Sequence, residues 1–246
     1  MNKYVCLLFT PIVLWSCKTK KPVEKVEEGV NYSYIKDNSG NSYRTIQIGS
    51  QKWMVDNLKT VRYSDVVLNK FKLPVTDSIR TLPADSSILY REELSLDTLS
   101  YYWKYQGGVS KLDFGNLYTW YTVKNRNVCP QGWRVPTVYD WEKLITFLGG
   151  PEIAGGKLKS TDTLLWENPN QGATNSSDFA AIGGGYKTEF ATFINQLKYG
   201  LYWSSSEDVD FKDGGVAYMF YAGSVKSYKI TKSKKAALSV RCISDK

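Results

Sequence analysis

The first seventeen residues decide in which compartment the rest of the chain would fold, and therefore whether its cysteines can pair. Lys3 gives a positive start, and residues 4–14 are almost wholly apolar. This run is too short for a helix to span a hydrocarbon core of about 30 Å. A basic start followed by a short apolar run is typical of a secretory signal. The sequence therefore predicts an exported protein in which residues 1–16 take no part in the fold.

The apolar run ends in Leu14-Trp15-Ser16-Cys17, which resembles the bacterial lipobox. In that motif a leucine stands three residues before a cysteine that is acylated and becomes the first mature residue. Trp15 departs from the pattern, because its position is usually small, and an ordinary signal followed by a chance cysteine is the alternative. Since several acyl chains anchor a protein stably to a membrane, we expect a lipid anchor on Cys17. No other segment of the sequence is apolar enough to cross a membrane.

The four cysteines take separate roles under this prediction. Cys6 is removed with the signal and Cys17 carries the lipid, which leaves Cys129 and Cys242. Because an exported chain meets oxidising conditions, the remaining pair is most simply a disulfide. Closing so long a loop would stabilise the fold by about 4–5 kcal/mol on the chain-entropy argument. A redox-active pair has little support, since the chain has no CxxC spacing and no histidine to act as a base.

The absence of histidine also excludes several classes of function. A Ser-His-Asp triad, a zinc site with histidine ligands and an imidazole general base all require this residue. No GxxxxGK[ST] motif occurs, and no GxGxxG lies between a strand and a helix. Gly183, Gly184 and Gly185 lie between two strand-like stretches, so we assign them to backbone geometry. We expect no enzymatic activity, no cofactor and no metal.

The formal net charge of +8 raises the question of a nucleic-acid partner. Part of the excess lies near the N-terminus, at Lys3, Lys18, Lys20 and Lys21. The other cluster, residues 226–235, alternates as a hairpin does, with lysines on a solvated face and in a turn. Because an exported protein has little access to DNA, we expect no nucleic-acid partner.

The composition divides the mature chain into a tether and one domain. Residues 17–31 hold the lipidated cysteine and a polar, charged stretch without aromatic residues, which favours a flexible tether. Residues 32–246 are predicted to form a single domain with a loop-rich insert at residues 59–112. Short strand-like runs bounded by Gly, Asn, Asp and Ser dominate it. The predicted fold class is α+β, with mixed short antiparallel strands, about two helices and one disulfide.

The clearest strand signal is a β-hairpin in which residues 42–48 and 51–55 flank a Gly-Ser turn. Helical spacing occurs at residues 115–124 and at residues 137–150. In the second helix Thr137 is the expected N-cap, with Asp140 in the capping-box position and a glycine pair at the end. Five tryptophans are expected in the core: Trp53, Trp120, Trp133, Trp141 and Trp203. Further strands are predicted at residues 179–182, 200–205, 215–222, 224–230 and 237–243.

Nine stretches, in order over most of residues 34–245, carry a resemblance to a known family. They are GNSYRTIQIG (40–49), QKWMVDNL (51–58), GNLYTWY (115–121), CPQGWRVPT (129–137), WEKL (141–144), AGGKLKS (154–160), FAAIGGGY (179–186), YWSSSE (202–207) and SVRCI (239–243). Together they resemble the Fibrobacter succinogenes major paralogous domain family.

The resemblance implies a C-type-lectin-like fold in lipoproteins or secreted proteins, common in the Bacteroidetes and Fibrobacteres, with no established enzymatic activity. It also implies a disulfide between the cysteine before Pro-x-Gly-Trp and one in the final strand, which agrees with pairing Cys129 and Cys242. Residues 134–142 match an Arg-x-Pro-Thr-x-x-x-Trp-Glu motif of the formylglycine-generating oxidases, which share this broad fold. Those enzymes need a copper-binding cysteine pair, and both mature cysteines are assigned to the disulfide.

We therefore predict a membrane-anchored, extracytoplasmic lipoprotein that acts as a non-catalytic binding or interaction module. An accessory subunit of an outer-membrane assembly is the alternative. A glycan-binding lectin is a more remote one, because the lectin signature of Glu-Pro-Asn with a later Trp-Asn-Asp is absent. The expected partners are the membrane, through the lipid anchor, and proteins at the outer membrane, and a glycan stays open. Residues 18–21 lack the acidic residues of surface-export signals, which favours the periplasmic side.

The candidate binding face lies in the late strands and loops at residues 204–235, where the resemblance implies a variable ligand surface. Alternation over residues 215–221 gives the strand two sides, so that one aromatic set would face solvent. Tyrosine offers rigid contact area with a polar tip, and neighbouring charges orient a partner. Ordinary hairpin residues are the alternative. The candidate residues are Glu207, Asp208, Asp210, Tyr218, Phe220, Tyr221, Tyr228 and Lys229.

Overall fold

Thirteen strands and three helices are present in the residues that the structure, a computed structural model, describes: 30–62, 102–105, 112–125 and 128–246. The predicted signal, the lipidation site Cys17 and most of the tether and of the 59–112 insert lie outside the described residues. From Asn31 onward the described residues form one compact unit. No helix within these described ranges is long and apolar enough to cross a membrane.

The first sheet joins the N-terminal strands to the C-terminus. Its strands are β1 (Ser33–Lys36), β2 (Ser42–Ile48), β3 (Gln51–Met54), β6 (Trp133–Arg134) and β13 (Ile243–Ser244). They lie in the order β1-β2-β3-β13-β6. The predicted hairpin is confirmed, because β2 and β3 pair antiparallel with Ile48 opposite Gln51 and Gly49 at φ +57° in the turn.

The second sheet is larger and mixed. It contains β4 (Tyr102–Lys104), β5 (Asn116–Thr119), β7 (Gly184–Lys187), β8 (Phe193–Gln196), β9 (Tyr199–Glu207), β10 (Gly214–Tyr221), β11 (Ser227–Ser233) and β12 (Ala237–Leu238). The order is β11-β10-β9-β7-β12-β5-β4, with β8 paired to β7. The pairing of β7 with β9 is parallel and the other strand pairs are antiparallel.

The three helices are α1 (Trp120–Asn125), α2 (Val138–Phe147) and α3 (Pro151–Leu158). The prediction for α2 is confirmed: the hydroxyl of Thr137 accepts from the amide of Asp140, whose carboxylate accepts from the amide of Thr137. Helix α3 was not predicted, because its Ala-Gly-Gly sequence has low helix propensity. Tertiary packing accounts for the glycine in this helix. A Cβ at Gly155 would lie 2.1 Å from the carbonyl oxygen of Lys226, so only glycine allows the helix to approach that segment.

Three predicted elements are partly wrong. The helix predicted at residues 115–124 begins only at Trp120, because Asn116–Thr119 form β5, whose side chains are buried on both faces. Residues 179–182 form no strand and make only an isolated bridge from Ala181 to Lys159. The last predicted strand divides into β12 and β13, which belong to different sheets. Gly184 and Gly185 lie inside β7 and not in a turn.

The lysine-rich residues 226–235 also differ from the predicted solvated hairpin. Strand β11 pairs with β10, whereas β12 pairs with β5 and β7. Lys234 is buried: its ammonium donates to the carbonyl oxygen of Lys212 at 2.7 Å and pairs with Glu207 at 3.2 Å.

In the described residues the sheets enclose two large hydrophobic cores and a small third one around Trp103, and the five predicted core tryptophans are all buried. Tyr202 and Trp203 are neighbours in β9 and point to opposite faces of the strand. Both are nevertheless buried, because Tyr202 packs in the second core and Trp203 in the first. The second core is aromatic and contains Trp53, Trp141, Phe179, Tyr202, Tyr218 and Phe220.

The predicted disulfide between Cys129 and Cys242 is confirmed, with 5.9 Å between the two Cα atoms. It joins the segment before β6 to the segment before β13. The amide of Met54 donates to the carbonyl of Cys242, and the amide of Leu58 donates to that of Val240. The disulfide and these two hydrogen bonds together hold the segment that contains Arg241 in place.

Candidate functional site

Of the eight residues predicted for the binding face, two are buried and six are at least partly exposed. Tyr218 and Phe220 are fully buried, so the prediction that they belong to an accessible face is wrong. The physical reason is that their side of β10 is covered by α2, where Trp141 stacks on Tyr218 with ring centroids 5.1 Å apart. The hairpin surface is the name used below for the six residues that are at least partly exposed: Glu207, Asp208, Asp210, Tyr221, Tyr228 and Lys229.

The residues of the hairpin surface do not converge. Glu207 lies opposite Gly215, and Tyr221 lies at the other end of β10, about 20 Å away at 3.4 Å per residue. Asp208 accepts hydrogen bonds from the amides of Asp210 and Phe211, at 2.8 and 3.0 Å, and from the hydroxyl of Thr231. These contacts shape a turn and do not form a concavity.

A polar cleft of about 390 Å³ opens elsewhere in the fold. Its volume lies in the range of small-ligand sites. Segments that are far apart in sequence form its wall. The polar side chains that line it are Tyr32, Arg44, Asp56, Asn57, Lys59, Asp113, Ser160, Asp162, Asn175 and Arg241.

One wall of the cleft is an ion pair between β2 and the end of β3. Arg44 Nη2 lies 2.6 Å from Asp56 Oδ1, and the backbone amide of Arg44 donates to Asp56 Oδ2 at 2.7 Å. Burial alone would raise the pKa of Asp56, but the hydrogen bonds from Arg44 outweigh it and the pKa is lowered. The hydrogen bond to Asp56 likewise raises the pKa of Arg44. Both groups are therefore charged at neutral pH.

Two tyrosines flank this pair. The guanidinium carbon of Arg44 lies 5.2 Å from the ring centroid of Tyr32, which directly precedes β1. Tyr34 stands directly opposite Arg44 in the β1–β2 register and is 66% exposed. Burial and the nearby charge of Asp178 raise the pKa of Tyr32, so its hydroxyl stays protonated.

A second ion pair lies across the cleft. Lys59 Nζ is 2.8 Å from Asp113 Oδ2, and the amide of Gly115 donates to Asp113 Oδ1 at 3.1 Å. Gly115 has φ +76°, and a Cβ there would lie 2.7 Å from the Cβ of Asn57. Glycine is required at this position, because both the backbone conformation and the close approach exclude a side chain.

The floor of the cleft rests on Arg241, which is 1% exposed. Its Nε donates to Asn57 Oδ1 at 2.9 Å, its Nη2 to the carbonyl of Ala180 at 2.7 Å, and its Nη1 to the carbonyl of Phe179. The guanidinium carbon lies 4.4 Å from the ring centroid of Phe179. Burial lowers the pKa of Arg241 from its ordinary value, but arginine stays protonated in proteins. Arg241 thus joins the aromatic core to the cleft.

The loop held by Arg241 has unusual backbone geometry. Asn175, Asp178 and Ala180 have φ values of 48°, 54° and 50°. For alanine this left-handed conformation is rare, and such residues persist only where the surroundings enforce them. Here the amide of Ala180 donates to Asn175 Oδ1 at 2.8 Å, while Arg241 binds the carbonyl of Ala180. The loop is therefore held in place by hydrogen bonds from within the fold.

Lys159 fixes the segment that carries Ser160. This buried ammonium donates to the carbonyls of Gln171, Tyr221 and Ser224, at 3.0, 2.9 and 2.8 Å. Burial lowers its pKa to about 8. Lys159 is therefore a direct link between one wall of the cleft and the end of β10.

The cleft offers hydrogen-bond donors and acceptors, and four of its charged groups form the ion pairs Arg44–Asp56 and Lys59–Asp113. Within the described part of the chain, no group of three or more acidic or cysteine side chains is placed to hold a metal ion. The Arg-x-Pro-Thr motif has a structural role: Arg134 forms two hydrogen bonds to Asp140, at 2.6 and 2.9 Å, beside the N-cap Thr137 of α2.

Asp56, Asn57 and Arg241 belong to the family motifs and lie outside the predicted binding face, yet they line the cleft. A signal was present in the sequence. Asp56 and Asn57 stand between Val55 and Leu58, and Arg241 stands between Val240 and Cys242. Charged residues inside apolar runs are rarely buried unless they are paired, so they mark a specific site.

The comparisons with known proteins identify the family. The family model of the Fibrobacter succinogenes major domain matches residues 46–244, which is 199 of the 246 residues. The match includes the cleft residues Asp56, Asn57, Lys59 and Arg241, whereas Tyr32 and Arg44 precede it. No curated protein and no solved structure matches the chain. Because the family match covers well over half of the sequence, the chain belongs to the Fibrobacter succinogenes major domain family.

Proposed function

We propose that this protein is a non-catalytic binding module that takes a polar ligand into the cleft between the Arg44–Asp56 and Lys59–Asp113 pairs. The observation that carries the proposal is preorganisation. Arg241 holds a strained loop, an asparagine and the aromatic core in one arrangement. A site that is rigid before binding loses less conformational entropy when the ligand is ordered, which favours affinity.

The proposal includes the setting of the module. It is an exported lipoprotein, held at the outer membrane by acyl chains on Cys17, on the periplasmic side, with protein partners there. Its fold is C-type-lectin-like. The signal-like N-terminus, the lipobox and the family motifs support this part. In a Cys17→Ala variant we expect the protein to leave the membrane fraction. Sedimentation of that variant with membranes after high-salt washing would contradict the lipid anchor.

Hydrogen exchange on full-length protein in mild detergent tests the role of the cleft. The probe is a soluble extract of the cell envelope of the producing bacterium. We expect slower exchange around residues 55–58 and 175–182, and a loss of this protection in Arg44→Ala. The control is Lys229→Ala, which removes a comparable exposed ion pair, Lys229–Glu142, on the hairpin surface. Protection confined to the hairpin surface, or no protection at all, would overturn the proposal.

A second candidate function is that of an accessory subunit in an outer-membrane assembly. It is favoured by three exposed apolar side chains on α2 and α3, those of Tyr139, Phe147 and Ile153. A pull-down from native membranes separates the candidates. Loss of a stable partner in Tyr139→Ser/Phe147→Ser, with retention in Arg44→Ala, would favour the accessory role.

A further inference from the structure

The charges around the cleft are balanced. Three cationic side chains, Arg44, Lys59 and Arg241, face three carboxylates, Asp56, Asp113 and Asp162. Arg44 and Lys59 are each paired with a carboxylate, and Arg241 is held by neutral oxygens. An anionic ligand would therefore have to compete with an existing partner for its countercharge. Asp162 accepts a hydrogen bond from the amide of Leu164 at 2.8 Å, and because the three carboxylates balance the three cations, a cationic ligand gains no net attraction from the cleft. This geometry favours a ligand without net charge.

The exposed parts of the pairs alternate donors with acceptors. The side chains of Arg44 and Asp56 are 40% and 31% exposed, so each keeps free hydrogen-bonding positions at the mouth of the cleft. Arginine can only donate and an ionised carboxylate can only accept. A hydroxyl group does both. A ligand with several hydroxyl groups can therefore bond to both members of a pair without breaking it.

Two tyrosines add aromatic area beside these groups: Tyr32 lines the cleft, and Tyr34 lies just outside its lining, opposite Arg44 in the β1–β2 register. Both lie close to Arg44, one against its guanidinium and one across the β1–β2 register. Tyr34 is exposed although it is large and aromatic. One face of a pyranose ring consists largely of C–H groups, which pack on an aromatic ring while the hydroxyls project sideways. The tyrosines and the ion pair supply these two kinds of contact side by side.

We propose that the cleft binds a neutral sugar unit of a glycan, which packs on Tyr34 and Tyr32 and forms hydrogen bonds with Arg44 and Asp56. This inference rests on the proposed binding role of the cleft and adds the class of its ligand. The apolar part of the lining is small, with Val55, Leu165 and Ile182 as its largest members. The cleft therefore has little space for the apolar side chains of a peptide.

The test is a binding titration of the full-length protein in mild detergent. The neutral probes are tetrasaccharides of glucose, mannose, galactose, xylose and N-acetylglucosamine, and the contrasting probes are tetragalacturonate and an end-blocked tetrapeptide. We expect at least one neutral probe to bind and to protect residues 55–58 from hydrogen exchange. Tyr34→Ser should weaken this binding about tenfold, or by about 1.4 kcal/mol, because the ring on which the sugar packs is removed.

The matched control is Tyr139→Ser, because Tyr139 is 72% exposed and lies on α2. Its affinity for the neutral probe should equal that of the wild type. Binding of only tetragalacturonate or the tetrapeptide at the cleft would overturn the sugar class and leave the cleft as a binding site. Protection of the cleft by the envelope extract without binding of any neutral tetrasaccharide would have the same meaning. If neither extract nor probes protect the cleft, the proposed function itself is wrong.

Discussion

The hairpin surface and the cleft both place tyrosines beside charged side chains, but the chain assembles them in different ways. The hairpin surface comes from three consecutive strands, and its groups are spread along their length. The cleft is built from segments as far apart as Tyr32 and Arg241, whose side chains converge on one space. The comparison indicates that residue types alone are not enough to predict a binding site. The side chains must also converge on one space and be held there by the rest of the fold.

The two regions also differ in how firmly their charges are held. Lys229 and Glu142 form an ion pair at 2.9 Å in which both side chains are about half exposed. Such pairs contribute about 0–1 kcal/mol. Arg241 is buried and satisfies three oxygens at once. Its removal would leave buried acceptors without donors, at a cost of about 1–3 kcal/mol for each.

The largest expected effect comes from opening the disulfide. Cys129→Ser/Cys242→Ser should lower the free energy of unfolding by about 4–5 kcal/mol, measured by guanidinium denaturation. Because the bond fixes the segment beside Arg241, hydrogen exchange should increase more around the cleft than at the hairpin surface. Two freely alkylatable thiols in the native wild type would contradict the premise.

Arg241→Met should lower the free energy of unfolding by about 3–5 kcal/mol, because the oxygens of Asn57, Phe179 and Ala180 lose their donor. We also expect the variant to lose ligand protection at the cleft. Lys229→Met is the control for removing a cation, with a change below about 0.5 kcal/mol. Equal destabilisation by Arg241→Met and Lys229→Met would contradict the expectation that charges are held more firmly at the cleft than on the hairpin surface.

Lys159→Met should lower the free energy of unfolding by about 2 kcal/mol, since three buried carbonyls lose a donor while the cost of burying a charge is relieved. Unlike Arg241→Met, it should increase hydrogen exchange in both regions, because Lys159 joins the cleft wall to Tyr221 at the end of β10. An increase on only one side would show that the two regions are not linked there.

Asp140→Asn should lower the free energy of unfolding by about 1–2 kcal/mol at pH 7, because it breaks the capping box of α2 and the pair with Arg134. Burial raises the pKa of Asp140, but the hydrogen bonds from Arg134 and Thr137 outweigh it and lower the pKa. The carboxylate therefore stabilises the fold above its ordinary pKa of about 3.9, and this contribution is lost as the pH falls through the lowered value. Denaturation curves should show the difference from wild type shrinking below about pH 4, with the cleft unaffected at neutral pH.

The smallest effect is expected for the triple variant Tyr221→Ser/Tyr228→Ser/Lys229→Ala on the hairpin surface. Tyr221 packs on Tyr199, so the free energy of unfolding should fall by about 1 kcal/mol or less. Binding at the cleft should be unchanged. The same variant is carried through the membrane pull-down. Loss of the cleft ligand or of a partner in this variant would indicate that the hairpin surface takes part in binding.

The elements that could be predicted are those with local causes. The Gly49 turn defines the hairpin of β2 and β3, and Thr137 and Asp140 cap α2 within four residues of sequence. Where local rules conflict, prediction failed. The spacing of Leu117, Trp120 and Tyr121 fits a helix, yet Asn116–Thr119 is a strand because neighbours on both faces bury it.

The cleft was not predicted, because its contacts have no local cause. Arg241 donates hydrogen bonds to Asn57, which is 184 residues away in sequence, and to Phe179, which is 62 residues away. The apparent strand at residues 179–182 turns its carbonyls toward this guanidinium, which a pattern of apolar residues does not reveal. Alternation correctly divided β10 into two sides, but it did not indicate that α2 covers the side of Tyr218 and Phe220.

Strand β1 has a mechanical consequence. Among the described strands it lies at the edge of its sheet next to β2, and Ser33, its first residue, pairs with Thr45. A tensile load that reaches the fold through residue 30 acts first on the Tyr32–Arg44 contact and then separates the β1–β2 hydrogen bonds one at a time, as a zipper opens. Tension on the chain would therefore separate β1 from β2, and so loosen the Tyr32 side of the cleft, before it acts on the strands behind.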